Sequence, residues 1–365
     1  MSIIQRIFQD HAEAYLDHFD PAIPEEQRKA IAAIRECRTG LRGQHLFQCP
    51  ECGDWLTANA SCGNRHCPLC QNHKAAEWVH RQQSRLLPCT YFLATFTLPH
   101  ELHDTVRRNQ KAIYDAIMDC AAASLRTLEA DKRFVGCNLA GFFGVLHTWG
   151  RQIQYNPHAH FVIPGGGLSQ DRSQWVPANG DFLVHVRALS KMFRGKMRDA
   201  LRKAGLLDRI DPKLWSRDWV VNCKPVGSGH AAMRYLGAYV FRVAVSDARI
   251  AHYDGGTVTL KYRKVGSSRW RHFKLTAFEF IRRYLQHVLP KGFVKVRHYG
   301  FLSPNCATSI QKIREMICVL YELLREDLAA AASAPVKRHL RCPSCHAVMR
   351  PVRFVPCHGP VAQAP

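Results

Sequence analysis

The chain has 365 residues, enough for two or three domains with at least one sizeable core, which excludes a disulfide-stapled miniprotein. Lys and Arg number 51 against 29 Asp and Glu, so the formal charge of +22 points to a polyanionic partner, nucleic acid first, while 47% hydrophobic residues exclude a disordered basic tail as the main state. No apolar run approaches the roughly 20 residues that a membrane span needs, and charges interrupt the opening MSIIQRIFQDH, so the chain reads as soluble and intracellular.

In chain order, residues 2–19 and 24–38 carry helical apolar spacing (Ile3, Ile7, Tyr15, Phe19), with Pro21 and Pro24 between them. From Cys37 to Cys70 the sequence is rich in Cys, Gly and His, and 71–87 returns to a helical pattern. Residues 91–99 are β-branched and aromatic, and 101–133 is a long helix or helix pair. Two apolar runs, 138–150 and 157–167, joined by a polar turn, predict an antiparallel strand pair. A helix at 187–205, a strand at 219–226 and a helix at 230–246 follow. Residues 249–264 predict a hairpin turning at Asp254-Gly255-Gly256; then come helix 276–289, strand 293–299 and helix 307–327. AAAASAP (329–335) reads as a linker before a basic tail. The fold class is α+β, with a central antiparallel sheet flanked by helices and a small N-terminal zinc-ribbon-like module. The expected divisions are 1–88, 89–328 and 329–365.

Fifteen cysteines in a reducing compartment favour metal over disulfides. Cys49-x-x-Cys52 and Cys67-x-x-Cys70, separated by 14 residues, predict one structural tetrathiolate zinc. Cys37, His45, Cys62 and His66 form a possible second set. Cys342-x-x-Cys345, with His346, Cys357 and His358 nearby, is a third place where zinc is expected on even terms with free thiols.

His158-Ala159-His160 lies on a predicted strand, where alternate residues share a face, so both imidazoles can converge on one ion. His147, on the preceding strand, is the expected third ligand, which leaves positions open for substrate. The alternative is that these are satisfied core histidines. Tyr235 and Tyr239 stand one turn apart on a predicted helix. Taken alone they read as a core stripe, but Arg234 and Arg242 bracket them, Gly227-Ser228-Gly229 opens the helix and Lys224 precedes the loop: the parts of a phosphate site.

The ordered motifs SCGNRHCPLCQ, LHTWG, PHAHFVIPGGG, CKPVGSG, RYLGAYVFRVAVSDARI and FEFIRRYLQHVLPKGFVKVRHYGFL, over about residues 35–305, resemble the rolling-circle insertion-sequence transposases with an N-terminal zinc module. These belong to the HUH single-strand endonucleases. The resemblance implies an HUH-type catalytic domain in which His158 and His160 hold Mg²⁺ or Mn²⁺ and Tyr235 and Tyr239 are nucleophiles. It also implies a bacterial cytoplasmic protein, held at the nucleoid by DNA, that acts on single-stranded transposon ends. Family members often show a histidine where this chain has Asn156, so Asn156 is left out of the ligand set. Two other readings stand beside it: a metal-dependent hydrolase or phosphodiesterase, which leaves the tyrosines idle, and a non-catalytic zinc-ribbon DNA-binding regulator. Away from the centre, KYRKVGSSRWRHFK (261–274), with Trp270 among cations, is the best candidate for stacking single-strand bases.

Overall fold

A computed structural model describes residues 2–70, 72–240, 244–264, 266–322 and 339–357; at 72–74, 234–236, 238 and 239 it describes the helix backbone and no side chain. Ser2 caps α1 (Ile3–Phe19) by accepting the Gln5 N–H, and α2 (Glu25–Glu36) starts behind Pro24 with Glu25 and Glu26 in its first turn, where the helix dipole favours acid. A small hairpin, β1 (Gln44–Gln48) and β2 (Trp55–Asn59), precedes α3 (Asn72–Gln83).

The larger layer begins with β3 (Tyr91–Thr97), then α4 (His103–Arg108), α5 (Gln110–Glu129), β4 (Leu139–Trp149), β5 (Tyr155–Pro164), β6 (Gly166–Leu168) and β7 (Trp175–Pro177). After α6 (Val186–Lys203) and β8 (Val221–Pro225) comes α7 (His230–Val240). A meander, β9 (Ile250–Tyr253), β10 (Thr257–Arg263) and β11 (Trp270–Thr276), leads into α8 (Ala277–Leu285), β12 (Val296–Gly300) and α9 (Ile310–Leu320). The last described strand is β13 (Arg350–Val355).

Seven of these strands form one antiparallel sheet in the order β7-β6-β4-β5-β3-β8, with β12 also paired to β4. Because side chains alternate along a strand, its two faces bury different sets. Ala94, Phe96, Leu146, Ala159, Phe161 and Ile163 point to one face, against α5 and an i,i+4 row of α6 (Leu189, Phe193, Met197, Leu201). Phe161 is fully buried there between Phe96 and Phe142, its ring centre 5.6 and 5.7 Å from theirs in edge-to-face contact. The other face carries Phe143, Val145 and Val162, covered by Trp78 of α3, by Ala232, Met233 and Val240 of α7 and by Ile313 and Ile317 of α9. A second core joins α1 and α2 to the three-stranded meander and α8, around Phe8, Ile34, Leu260, Phe280 and Tyr284.

The structure regroups the predicted zinc ligands. Cys67 and Cys70 gather with Cys37 and Cys62, while Cys49 and Cys52 gather with Cys342 and Cys345 of the tail. The single Cys49–Cys52–Cys67–Cys70 site is therefore replaced by two. The reason is topological: the β1–β2 hairpin carries its own knuckle away from the loop that follows α2, and β13 pairs with β1, Gln44 opposite Val355 through Gln48 opposite Arg350. The expected separate tail, 329–365, thus joins the N-terminal module through its residues 341–355. His45 is exposed on β1, its ring 5.0 Å from that of Phe354. His66 is buried, with its Nε2 accepting the Leu289 N–H at 3.2 Å and its carbonyl accepting the Tyr284 hydroxyl at 2.7 Å. Neither belongs to a cysteine cluster. Cys357 is exposed, His346 is outside the tail's cluster, and His358 and the linker 329–335 lie outside the described residues. The helix expected over 230–246 is observed as 230–240, with Ser246 already extended.

Candidate metal centre and tyrosine helix

β4 and β5 are antiparallel neighbours, and their register sets His147 directly opposite His158 and Val145 opposite His160. Between His147 and Trp149 the register slips, Asn156 and Pro157 facing Thr148 alone. Proline has no N–H to give a ladder, so a bulge is where a strand tolerates it, and the bulge turns the next residue, His158, toward its neighbours. The three imidazoles meet on the α7 face of the sheet: ring centres are 5.4 Å apart for 147–158, 4.7 Å for 147–160 and 4.9 Å for 158–160. One ring nitrogen from each lies within 4.8 Å of the others.

Two of the three rings are oriented by bonds at the other nitrogen. His158 Nδ1 lies 2.6 Å from the Asn156 carbonyl, to which it donates, and His160 Nδ1 lies 3.0 Å from Thr95 Oγ1 on β3, directly opposite it in the register. The carbonyl bond leaves Nε2 of His158 as the lone pair for a cation, and the Thr95 hydroxyl does the same for His160 when it accepts from Nδ1. His147 is held flat against Trp149, ring centres 5.0 Å apart and 19° from parallel, with the Lys295 ammonium 4.9 Å from the indole centre.

Burial first, then the neighbouring rings and Lys295, pushes His147 well below the usual imidazole range. Burial with the neighbouring His158 takes His160 down to about 3, and burial lowers His158 against the opposing pull of its Asn156 bond. All three are neutral at pH 7, the form that ligates. The donor set fits a divalent cation with coordination positions left open.

The tyrosine helix packs on the same sheet face, Ala232, Met233 and Val240 sharing a cluster with Phe143, Val145 and Val162. Gly237 lets α3 approach closely, since a Cβ there would come within 1.9 Å of Val79 Cγ2. The side chains of Tyr235, Tyr239 and Arg234, and all of Arg242, lie outside the described residues. Lys224 is exposed on edge strand β8 and pairs with Leu93, which pairs with Val162, so it stands on the histidine face one row from His160. Trp270 sits apart, on β11, 45% exposed, with Arg263 4.3 Å and Lys261 5.5 Å from its ring centre.

Thr95 and Trp149 were absent from the predicted site. Strand pairing is what gives them roles, and the only sequence signal was a hydroxyl and an indole in otherwise apolar strands.

In the Cys37–Cys62–Cys67–Cys70 cluster, Cys70 Sγ is 3.4 Å from Cys37 Sγ and 3.5 Å from Cys62 Sγ. Zn–S bonds of about 2.3 Å in a tetrahedron set sulfurs about 3.8 Å apart, so the set fits zinc. A hydrogen bond from Cys67 holds the Cys62 thiol below the usual range, the thiolate character such ligation needs.

The described geometry gives two cysteine clusters and a histidine triad, and comparison with known proteins makes the chain a DNA-processing enzyme, a transposase. Residues 7–98 match the family "Transposase zinc-binding domain", and residues 141–309 match the family described as "Putative transposase". The "Putative transposase y4qJ" of Sinorhizobium fredii is 33% identical over 374 aligned residues, covering 93% of this chain and 92% of that relative. The "Transposase for insertion sequence element IS801" of Pseudomonas savastanoi pv. phaseolicola is 28% identical over 311, covering 79% of this chain and 73% of its own. No solved structure matches. The chain belongs to the insertion-sequence transposases with an N-terminal zinc-binding domain, the family its motif order resembles. Among the described residues no helix is long and apolar enough to cross a membrane.

Proposed function

We propose that this transposase nicks and rejoins single-stranded DNA by tyrosine attack, in rolling-circle transposition. The observation that carries the reading is the convergence of His147, His158 and His160 on the sheet face that α7 covers. Helical spacing sets positions 235 and 239 one turn apart and off the buried Met233–Gly237–Val240 stripe of that helix.

His147, His158 and His160 would hold Mg²⁺ or Mn²⁺, and such an ion, when bound, supplies Lewis-acid polarisation of the scissile phosphate. The chain's own groups do the rest. A phenol with pKa near 10 is a weak nucleophile, so its attack needs a cationic setting, which Lys224 and the arginines that bracket the pair in the sequence, Arg234 and Arg242, would supply. The phenolic oxygen of Tyr235 or Tyr239 bonds to phosphorus, the P–O3′ bond breaks and the phenolic proton ends on the departing 3′ hydroxyl. The 5′-phosphotyrosine keeps the phosphodiester's energy, so a later 3′-OH reverses the step without ATP. Two tyrosines allow two successive transfers by one protein. Cys37, Cys62, Cys67 and Cys70, three of which lie in the loop that leads into α3, hold the structural zinc of the matched domain.

Incubation with single-stranded oligonucleotides and Mn²⁺, followed by denaturation, is expected to leave DNA on the protein. The doubly substituted Tyr235→Phe, Tyr239→Phe chain must lose that adduct. Cleavage without an adduct would instead identify a hydrolase, and neither outcome a regulator.

A further inference from the structure

Two of the tail's cysteines, Cys342 and Cys345, belong to no part of the mechanism, yet the structure seats them on the N-terminal hairpin. Cys49 and Cys52 follow β1; Cys342 and Cys345 precede β13, which pairs with β1. Cys49 Sγ is 3.4 Å from Cys345 Sγ, and Cys52 Sγ is 3.5 Å from both Cys342 and Cys345. These separations are far beyond a disulfide's roughly 2.05 Å and close to the edge of a zinc–thiolate tetrahedron.

The two halves are built alike. Cys49-Pro50-Glu51-Cys52-Gly53-Asp54 and Cys342-Pro343-Ser344-Cys345-His346-Ala347 are both C-P-x-C turns. In each, the first cysteine's N–H donates to the carbonyl five residues on, Asp54 at 2.8 Å and Ala347 at 2.9 Å. In each, the first cysteine's carbonyl accepts from the residue four on, Gly53 at 3.1 Å and His346 at 3.0 Å. That fourth residue is left-handed both times, φ 79° at Gly53 and 60° at His346. Glycine takes such a φ freely, whereas histidine pays for it, so the tail repeats the knuckle's backbone against its own residue preference. A small apolar layer of Phe47, Leu56, Ala347 and Met349 closes over Cys49 and Cys342, and Ser344 Oγ bonds to Asp54.

We infer that Cys49, Cys52, Cys342 and Cys345 bind a second structural zinc that clasps the C-terminal segment to the N-terminal hairpin. The matched zinc-binding region ends at residue 98, so half of this site comes from sequence well outside it. Each end alone offers only two thiolates. The ion therefore closes a loop of nearly the whole chain, 296 residues between Cys49 and Cys345.

The full-length chain, purified under thiol reductant without chelator, should carry two zinc ions per chain by mass spectrometric metal analysis. Cys342→Ser, Cys345→Ser should carry one, and become cleavable by protease within 339–357. Cys62→Ser, Cys67→Ser should also carry one, with 339–357 still protected. Because a double variant can misfold, Cys345→His gives an independent reading: with cobalt(II) it should bind two ions per chain, with the visible bands of one shifted from the all-sulfur pattern. One zinc per wild-type chain, two retained by Cys342→Ser, Cys345→Ser, or a Cys345→His cobalt spectrum identical to wild type would each overturn the assignment.

Discussion

Replacing Thr95 by Val removes one hydroxyl and almost no volume, and tests whether the histidine triad is a metal site. Thr95 Oγ1 lies 3.0 Å from His160 Nδ1, and the β3–β5 register sets the two residues directly opposite. When Nδ1 donates to that hydroxyl, His160 keeps its Nε2 lone pair and its ring angle; without the hydroxyl both are free to change. Loss of a ligand's orienting partner typically costs 10- to 100-fold in metal affinity, about 1.4 to 2.7 kcal/mol. Burial already holds His160 near 3, so proton competition contributes nothing at pH 7 and the loss reads as orientation alone. Titration of the full chain with Mn²⁺, followed by calorimetry or by the signal of the free ion, gives the constant directly. Thr95→Ser should recover most of the affinity, and the unfolding free energy should fall by no more than about 1.5 kcal/mol, one hydrogen bond's worth. A Val variant binding Mn²⁺ within twofold of wild type would refute the reasoning.

His287, fully buried with Nδ1 3.1 Å from Thr148 Oγ1 and Nε2 3.1 Å from the Ile153 carbonyl, is pulled from 6.5 down to about 4, by burial above all. Because the unfolded chain binds that proton more readily, the stability this group contributes is present above pH 6.5 and is lost as pH falls toward 4. Denaturant titrations at pH 7 and 5 should differ by about 2 kcal/mol from this residue, a difference that a folded His287→Gln variant lacks. Trp270→Ala should weaken single-stranded oligonucleotide binding by about 1–3 kcal/mol in anisotropy titrations, with log affinity falling linearly against log salt for both proteins; an unchanged affinity, or a flat salt profile, would remove the β10–β11 hairpin from the DNA path.

The histidine-bearing layer is legible in the sequence because its signals are local. Alternation along 157–167 put His158 and His160 on one face, and the short polar turn after 138–150 made the two strands neighbours, which is enough to bring in His147. The cysteines were harder. A C-P-x-C turn announces two ligands and says nothing of its partner, and this chain has three such turns. Choosing among them depends on the β1–β13 pairing, a contact between sequence ends that no local pattern encodes. β11 reads only as a basic aromatic run, since on this largely exposed strand one side carries Trp270, His272 and Lys274 while Arg271 interrupts the Phe273–Leu275 side, and the apolar period is faint. The helix predicted over 230–246 extends too far because its apolar spacing continues through 244–246, which are not helical.

Gly237 carries a consequence for how the two halves of the molecule depend on each other. It falls between the tyrosine positions, and its bare backbone rests on Val79 of a helix that starts just beyond Cys70. The height of the helix at 230–240 above the sheet is thus measured from the cysteine cluster, as from a datum. A chain without metal at that cluster would keep the histidine triad and the helix at 230–240 and lose the reference that sets the distance between them.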